Sequence, residues 1–165
     1  FQVFKRSGST DLGEMLSALI VEDNAEFSAF LKSLLETRFP SAMILQASDA
    51  DEALHHLSLS QLDIVLVDIS LPGGVNGLGL TELIRHNGAS PPVVILTNHD
   101  LPEYRVAATR LGADRFLSKA SSTADQIVKV IEELAAVEST REGESTTEGS
   151  KEPRGGPLTL PNIFG

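Results

Sequence analysis

The sequence predicts an α/β fold in which a doubly wound sheet of five parallel strands is covered on both faces by five helices. Three observations carry that expectation. Short apolar runs such as Ile64–Val67 and Val93–Leu96 are too short for helices and too uniform for half-exposed strands. They alternate strictly with longer stretches whose apolar residues recur every three or four positions, the pattern of strand and crossover helix. Finally, four of the five runs stop on polar residues, namely Glu22-Asp23, Asp68, Thr97 and Lys119. In a parallel sheet those ends share one edge, where ligands bind at the point of strand-order reversal.

Each element follows from local chemistry. Ala18 to Val21 forms the first strand, and Asn24 is placed to cap a helix whose Phe27, Phe30, Leu31, Leu34 and Leu35 make one inward stripe. Pro40 stops that helix. Met43 to Ala47 is a second strand, and Ser48 with Asp51 three residues on resembles a capping box for a helix with Ala53, Leu54 and Leu57 inward. The third strand, Ile64 to Val67, is central and buried on both faces, and Pro72, Gly73 and Gly74 break the chain after Asp68. Leu80, Leu83 and Ile84 mark a third helix ending near Gly88; Pro91-Pro92 then leads into the fourth strand, Val93 to Leu96. Pro102 suits the first turn of a fourth helix with Val106, Ala107 and Leu111 inward, closed by a left-handed Gly112. Arg115 to Ser118 is polar enough for an edge strand. Ser121 or Ser122 is expected to cap the last helix, with Ile127, Val130, Ile131 and Leu134 inward.

Composition narrows the function. The 165 residues suffice for one domain plus extensions, and 41% hydrophobic content is ordinary for a globular chain. No cysteine is present, which excludes disulfides, thiol catalysis and zinc-thiolate sites. No apolar run approaches the roughly 20 residues of a membrane span, and a signal-peptide core is lacking, so a cytoplasmic protein without membrane contact is expected. The net charge of −10 argues against direct nucleic-acid binding by this chain, because phosphate contacts need clustered lysine and arginine. Residues 1–14 lack any period and read as an N-terminal extension, with Met15 a plausible natural start. Residues 15–138 hold the domain. Residues 139–165, rich in Ser, Thr, Gly, Glu and Pro, read as a flexible tail or linker ending in the apolar stretch PLTLPNIF.

The strand-edge residues define a chemistry. Carboxylates crowded in one crevice repel and raise each other's pKa, and a divalent cation relieves that. An oxygen-only donor set with room for water and a phosphate oxygen suits Mg²⁺. Lys119 adds a point charge and Thr97 a hydroxyl, so metal, ammonium and hydroxyl could surround a phosphoryl group on Asp68, an aspartate being able to act as nucleophile. The competing structural expectation for the same residues is a buried ion-pair network of Asp23, Asp68 and Lys119. Neither the scattered His55, His56, His86 and His99 nor the stretch Gly73–Gly79, whose spacing fails the dinucleotide fingerprint, offers a second site.

From Leu16 to about Leu134, roughly three quarters of the sequence, the chain resembles the receiver domain of two-component response regulators. The resemblance rests on Glu22-Asp23, on Asp68 with Pro72 four residues later, on Thr97, and on GADRFLSK, Gly112 to Lys119. It implies a flavodoxin-like fold with strand order 2-1-3-4-5. It further implies that Asp68 is the phosphoacceptor, with Mg²⁺ held by Asp23 directly, Glu22 mainly through water, Asp68 itself and the Ser70 backbone carbonyl. Lys119 would pair with the phosphoryl group, Thr97 would swing towards it, and Phe116 would follow as the aromatic switch. The implied partners are a sensor histidine kinase or phosphotransfer protein, and an output domain or second copy on the face of the fourth helix, fifth strand and fifth helix. No enzyme beyond weak self-phosphorylation and self-dephosphorylation is implied. The sequence departs from the family pattern in three places. Asp68 to Gly77 is one residue longer than usual, Ala120 replaces a common proline, and Asn98 is bulkier than the usual small residue. Two alternatives carry different expectations. A phosphatase or phosphotransferase of the haloacid dehalogenase type, using Asp68 as nucleophile on small molecules, would want an Asp as general acid where Ser70 stands; the other alternative is a receiver that keeps these residues but works unphosphorylated as a docking scaffold.

Overall fold

The computed structural model describes residues 15–88, 90–137 and 139–140. The elements are β1 (Ser17–Val21), α1 (Ala25–Arg38), β2 (Met43–Ala47), α2 (Ala50–Leu59), β3 (Ile64–Val67), α3 (Gly77–His86), β4 (Val93–Thr97), α4 (Pro102–Arg110), β5 (Arg115–Ser118) and α5 (Ala124–Ala135). All strand pairs are parallel and the order is β2-β1-β3-β4-β5, as expected. The N-terminal extension and the tail beyond residue 140, PLTLPNIF included, lie outside the described residues. Ser139 and Thr140, assigned to the tail from sequence, are hydrogen-bonded to Glu132 and to the Arg38 carbonyl.

Period-two alternation along the buried strands splits the core in two. Ala18, Ile20, Ile64 and Leu66 face α1 and α5, packing with Leu31, Leu35, Ile127 and Ile131. Leu19, Val21, Val65 and Val67 face α2, α3 and α4, packing with Ala53, Leu80, Ile84 and Ala108. With both sheet faces covered, the polar residues following the strands have only the carboxyl edge to occupy.

Several sequence expectations shift. Phe30, Leu83 and Val106 are 46%, 41% and 58% exposed, and Ser28, Thr81 and Ala108 are buried instead. Polar residues can take those inward places because they are satisfied there. The Ser28 hydroxyl accepts from Gln46 Nε2 at 2.8 Å, and the Thr81 hydroxyl donates to the Gly77 carbonyl at 2.8 Å. The cap of α2 is Asp49, one residue later than Ser48, with Glu52 rather than Asp51 closing back onto the Ser48 N–H. On α5 the cap is Thr123, in a complete capping box with Gln126. Ser121 and Ser122 are taken by a turn onto the Ser118 carbonyl. Gly112 has φ +100° and closes α4 as expected.

Candidate functional site

Sheet register builds the site. Val21 pairs with Val67, so the next residues, Glu22 and Asp68, emerge side by side, and the Asp68 N–H extends the ladder to the Val21 carbonyl at 3.0 Å. Thr97 pairs with Ser118, and the Lys119 N–H donates to the Thr97 carbonyl at 2.9 Å. Glu22, Asp68 and Thr97 are buried, whereas Asp23 and Ser70 are exposed.

The Lys119 side chain, 8% exposed, closes the arrangement. Its Nζ donates to Glu22 Oε2 at 2.6 Å and to Asp68 Oδ2 at 3.0 Å. The ion-pair network is therefore Glu22–Lys119–Asp68, with Glu22 in the place expected for Asp23. Glu22 Oε1 accepts from the Asn24 N–H at 3.0 Å, and Asp68 Oδ1 accepts from the Ser70 N–H at 3.4 Å. Burial pushes the Glu22 pKa up; the Lys119 hydrogen bond opposes this, and the Asp68 charge adds to it.

Glu22, Asp23 and Asp68 each offer a carboxylate oxygen, all within 4.8 Å of one another. Three hard oxygen donors with one ammonium to offset them, and neither imidazole nor thiolate in the group, fit a hard divalent cation.

Thr97 and Phe116 lie on adjacent strands. Ile95 pairs with Phe116 two residues before the Thr97–Ser118 pair, so alternation puts Thr97 and Phe116 on one sheet face. The Thr97 hydroxyl oxygen accepts from the His99 N–H at 3.2 Å. Phe116 is half-buried with the Arg105 guanidinium 4.7 Å above its ring, and Arg105 is itself bonded to Asp100 at 2.6 Å.

Two neighbours escaped the sequence. Phe27, expected only as core stripe, places its ring 4.4 Å from Lys119 Nζ. Gly77 opens α3 against the backbone that carries Asp68, where an added Cβ would stand 2.0 Å from the Asp68 carbonyl oxygen. A glycine at the first helical position, just after the Asn76 cap, was the available signal.

This fold, with an acidic cluster and a lysine at the carboxyl edge, defines the receiver class of two-component response regulators. The family model described as response regulator receiver domain matches residues 18–132, and the chain belongs to that family. Among curated relatives, the probable transcriptional regulatory protein SilR of Salmonella typhimurium is 33% identical over 117 residues, covering 70% of this chain and 49% of SilR. The nitrogen assimilation regulatory protein NtrX of Azorhizobium caulinodans is 34% identical over 115 residues, covering 69% of this chain and 25% of NtrX. The chain thus spans about half or less of these relatives. The crystal structure of a CheY-like receiver domain protein from Methanospirillum hungatei superposes with TM-score 0.67 at 24% identity, covering 74% of this chain and 94% of that one. No helix among the described residues is long and apolar enough to cross a membrane.

Proposed function

We propose that this chain is a phosphorylation-dependent switch in which Asp68 accepts a phosphoryl group from a sensor histidine kinase or phosphotransfer protein in the cytoplasm. The observation that carries this is the Lys119 ammonium held between Glu22 and Asp68 at the carboxyl edge. One Asp68 carboxylate oxygen attacks phosphorus while the bond from phosphorus to the donor imidazole breaks. The electron pair leaves with the imidazole, which keeps the proton on its other nitrogen. Lys119 then neutralises charge on the phosphoryl oxygens, and the Thr97 hydroxyl turns to donate to one of them. Glu22, Asp23, Asp68 and the Ser70 carbonyl would hold Mg²⁺, which when bound supplies further neutralisation of the transferring group. Phe116, on the face that Thr97 shares, fills the space the hydroxyl leaves and so alters the α4–β5–α5 surface. An output domain, a partner or a second copy would read that surface. The receiver occupies residues 15–138, with residues 1–14 an extension and 139–165 a tail or linker. Its own catalysis is limited to weak self-phosphorylation and self-dephosphorylation.

The test is intact-mass spectrometry after incubation with acetyl phosphate and Mg²⁺. One phosphoryl adduct is expected on the parent protein and none on Asp68→Asn. An equal adduct on both would refute the assignment.

A further inference from the structure

An ammonium has three N–H bonds, and the carboxylates of Glu22 and Asp68 account for two of those on Lys119. On its remaining side lies the face of Phe27, whose centroid is 4.4 Å from Nζ. At that distance the negative face of the ring attracts a cation, most strongly where water is excluded, and the Lys119 side chain is only 8% exposed.

The ring is held there by a closed circuit of contacts. Phe27 is the third residue of α1, and its N–H donates to the side chain of the Asn24 cap at 2.9 Å. The Asn24 N–H in turn donates to Glu22 Oε1 at 3.0 Å, and Glu22 Oε2 accepts from Lys119. The cap that starts α1 therefore also sets the ring against the ammonium. Phe30 packs beside the ring, with centroids 5.7 Å apart and planes tilted by 40°.

For Glu22 to turn towards a cation shared with Asp23 and Asp68, it must loosen one of its present bonds, because Oε2 already accepts from Lys119 and Oε1 from the Asn24 N–H; turning Oε2 frees the ammonium. The ammonium then needs a holder that competes for neither the cation nor the phosphoryl group. A carboxylate would compete for the cation, and a hydroxyl would present a lone pair to it. A phenyl ring does neither.

We infer that Phe27 is a positioning residue for the phosphoryl-transfer site, its ring face holding the Lys119 ammonium on the α1 side while Glu22 turns to the cation. This rests on the role proposed above for Lys119, so the test has one readout that needs no phosphorylation.

In the full chain, the Lys119 ammonium and ε-methylene resonances, assigned by comparison with Lys119→Arg, are expected to be displaced upfield by the ring current. Phe27→Leu, which keeps an apolar side chain and the backbone cap, should return them to ordinary positions, and Phe27→Tyr should keep the displacement. The second readout is the rate of adduct formation from acetyl phosphate at saturating Mg²⁺. It should fall about tenfold in Phe27→Leu, the scale of a desolvated cation–π contact, and recover in Phe27→Tyr. Lys119 resonances that do not move in Phe27→Leu, or a rate equal to that of the parent, would overturn the inference. If acetyl phosphate labels neither protein yet the displacement is lost in Phe27→Leu, the phosphoacceptor reading fails and the Phe27–Lys119 contact stands.

Discussion

Glu22 carries an electrostatic conflict. Burial disfavours its charged form, Lys119 favours that form, and Asp68 opposes it; burial is the largest effect, so the folded-state pKa lies above the ordinary 4.5. The native state then binds a proton that the unfolded chain releases more readily. Between 4.5 and the raised value, stability contributed by this group declines as pH increases, and the loss is complete above the folded pKa. A carboxyl-carbon NMR titration of the metal-free protein should place the Glu22 midpoint above 4.5. Added Mg²⁺ should lower that midpoint, because the cation favours the ionised form. A metal-free midpoint at or below 4.5 would show that Lys119 outweighs burial. Which of the paired acids meets Lys119 was not legible in the sequence. Glu22 and Asp23 are adjacent, and only the strand alternation beyond Val21, with the longer reach of the glutamate, directs Glu22 inward and leaves Asp23 exposed. Phe27 was legible as an apolar helix residue but not as a neighbour of Lys119, because that contact joins positions far apart in the chain.

At the scale of elements, strands were easier to read than helix faces. All five strands fell within a residue of their expected limits, most securely β1, β3 and β4, since a strand buried on both faces tolerates few polar residues. Helix faces were less certain because a buried serine or threonine can find a partner, Thr81 on its own helix and Ser28 across to Gln46 of β2, which rotates the stripe away from Phe30 and Leu83. Caps slipped by a residue or two for a related reason. Runs such as Ser48-Asp49 and Ser121-Ser122-Thr123 offer several oxygens, and only the chain's approach to the helix selects one. The junction of β3 and α3 gives a sharper expectation. The Gly77 N–H donates to the Ile69 carbonyl at 2.9 Å, which draws the start of α3 onto the backbone that carries Asp68. In Gly77→Ala the new methyl would meet the Asp68 carbonyl oxygen at 2.0 Å, and because that atom is backbone no rotamer change relieves it. Denaturant unfolding should show a loss of about 1–3 kcal/mol. On the proposed function, the same variant should take up phosphoryl more slowly, since any relief moves the backbone that carries Asp68. An alanine variant as stable as the parent would mean that α3 can retreat freely.

Over the whole molecule, the sheet order sets β1 beside β3, so that Glu22-Asp23 and Asp68, 45 or more positions away, gather within 4.8 Å in a chain whose net charge is already −10. Two consequences of adding Mg²⁺ must be separated. Divalent ions screen diffuse negative charge on any acidic protein, an effect that a monovalent salt at matched ionic strength reproduces. Binding at the Glu22–Asp23–Asp68 cluster stabilises the native state alone, by about 2.7 kcal/mol when free Mg²⁺ is 100 times its dissociation constant. For a domain of this size that corresponds to a rise of roughly 10 °C in Tm. The increment should shrink as pH falls towards the Glu22 titration, because protonation removes a donor, and it should largely vanish in Asp23→Asn. Asp23 is suited to that control because it is exposed, so its amide variant should leave the buried Glu22–Lys119–Asp68 pairing in place. Differential scanning calorimetry of both proteins, in MgCl₂ and in NaCl of equal ionic strength, separates the contributions. If NaCl raises Tm as far as MgCl₂ does, or if Asp23→Asn responds to MgCl₂ as the parent does, the acidic edge is a region of negative potential and not a site for the cation.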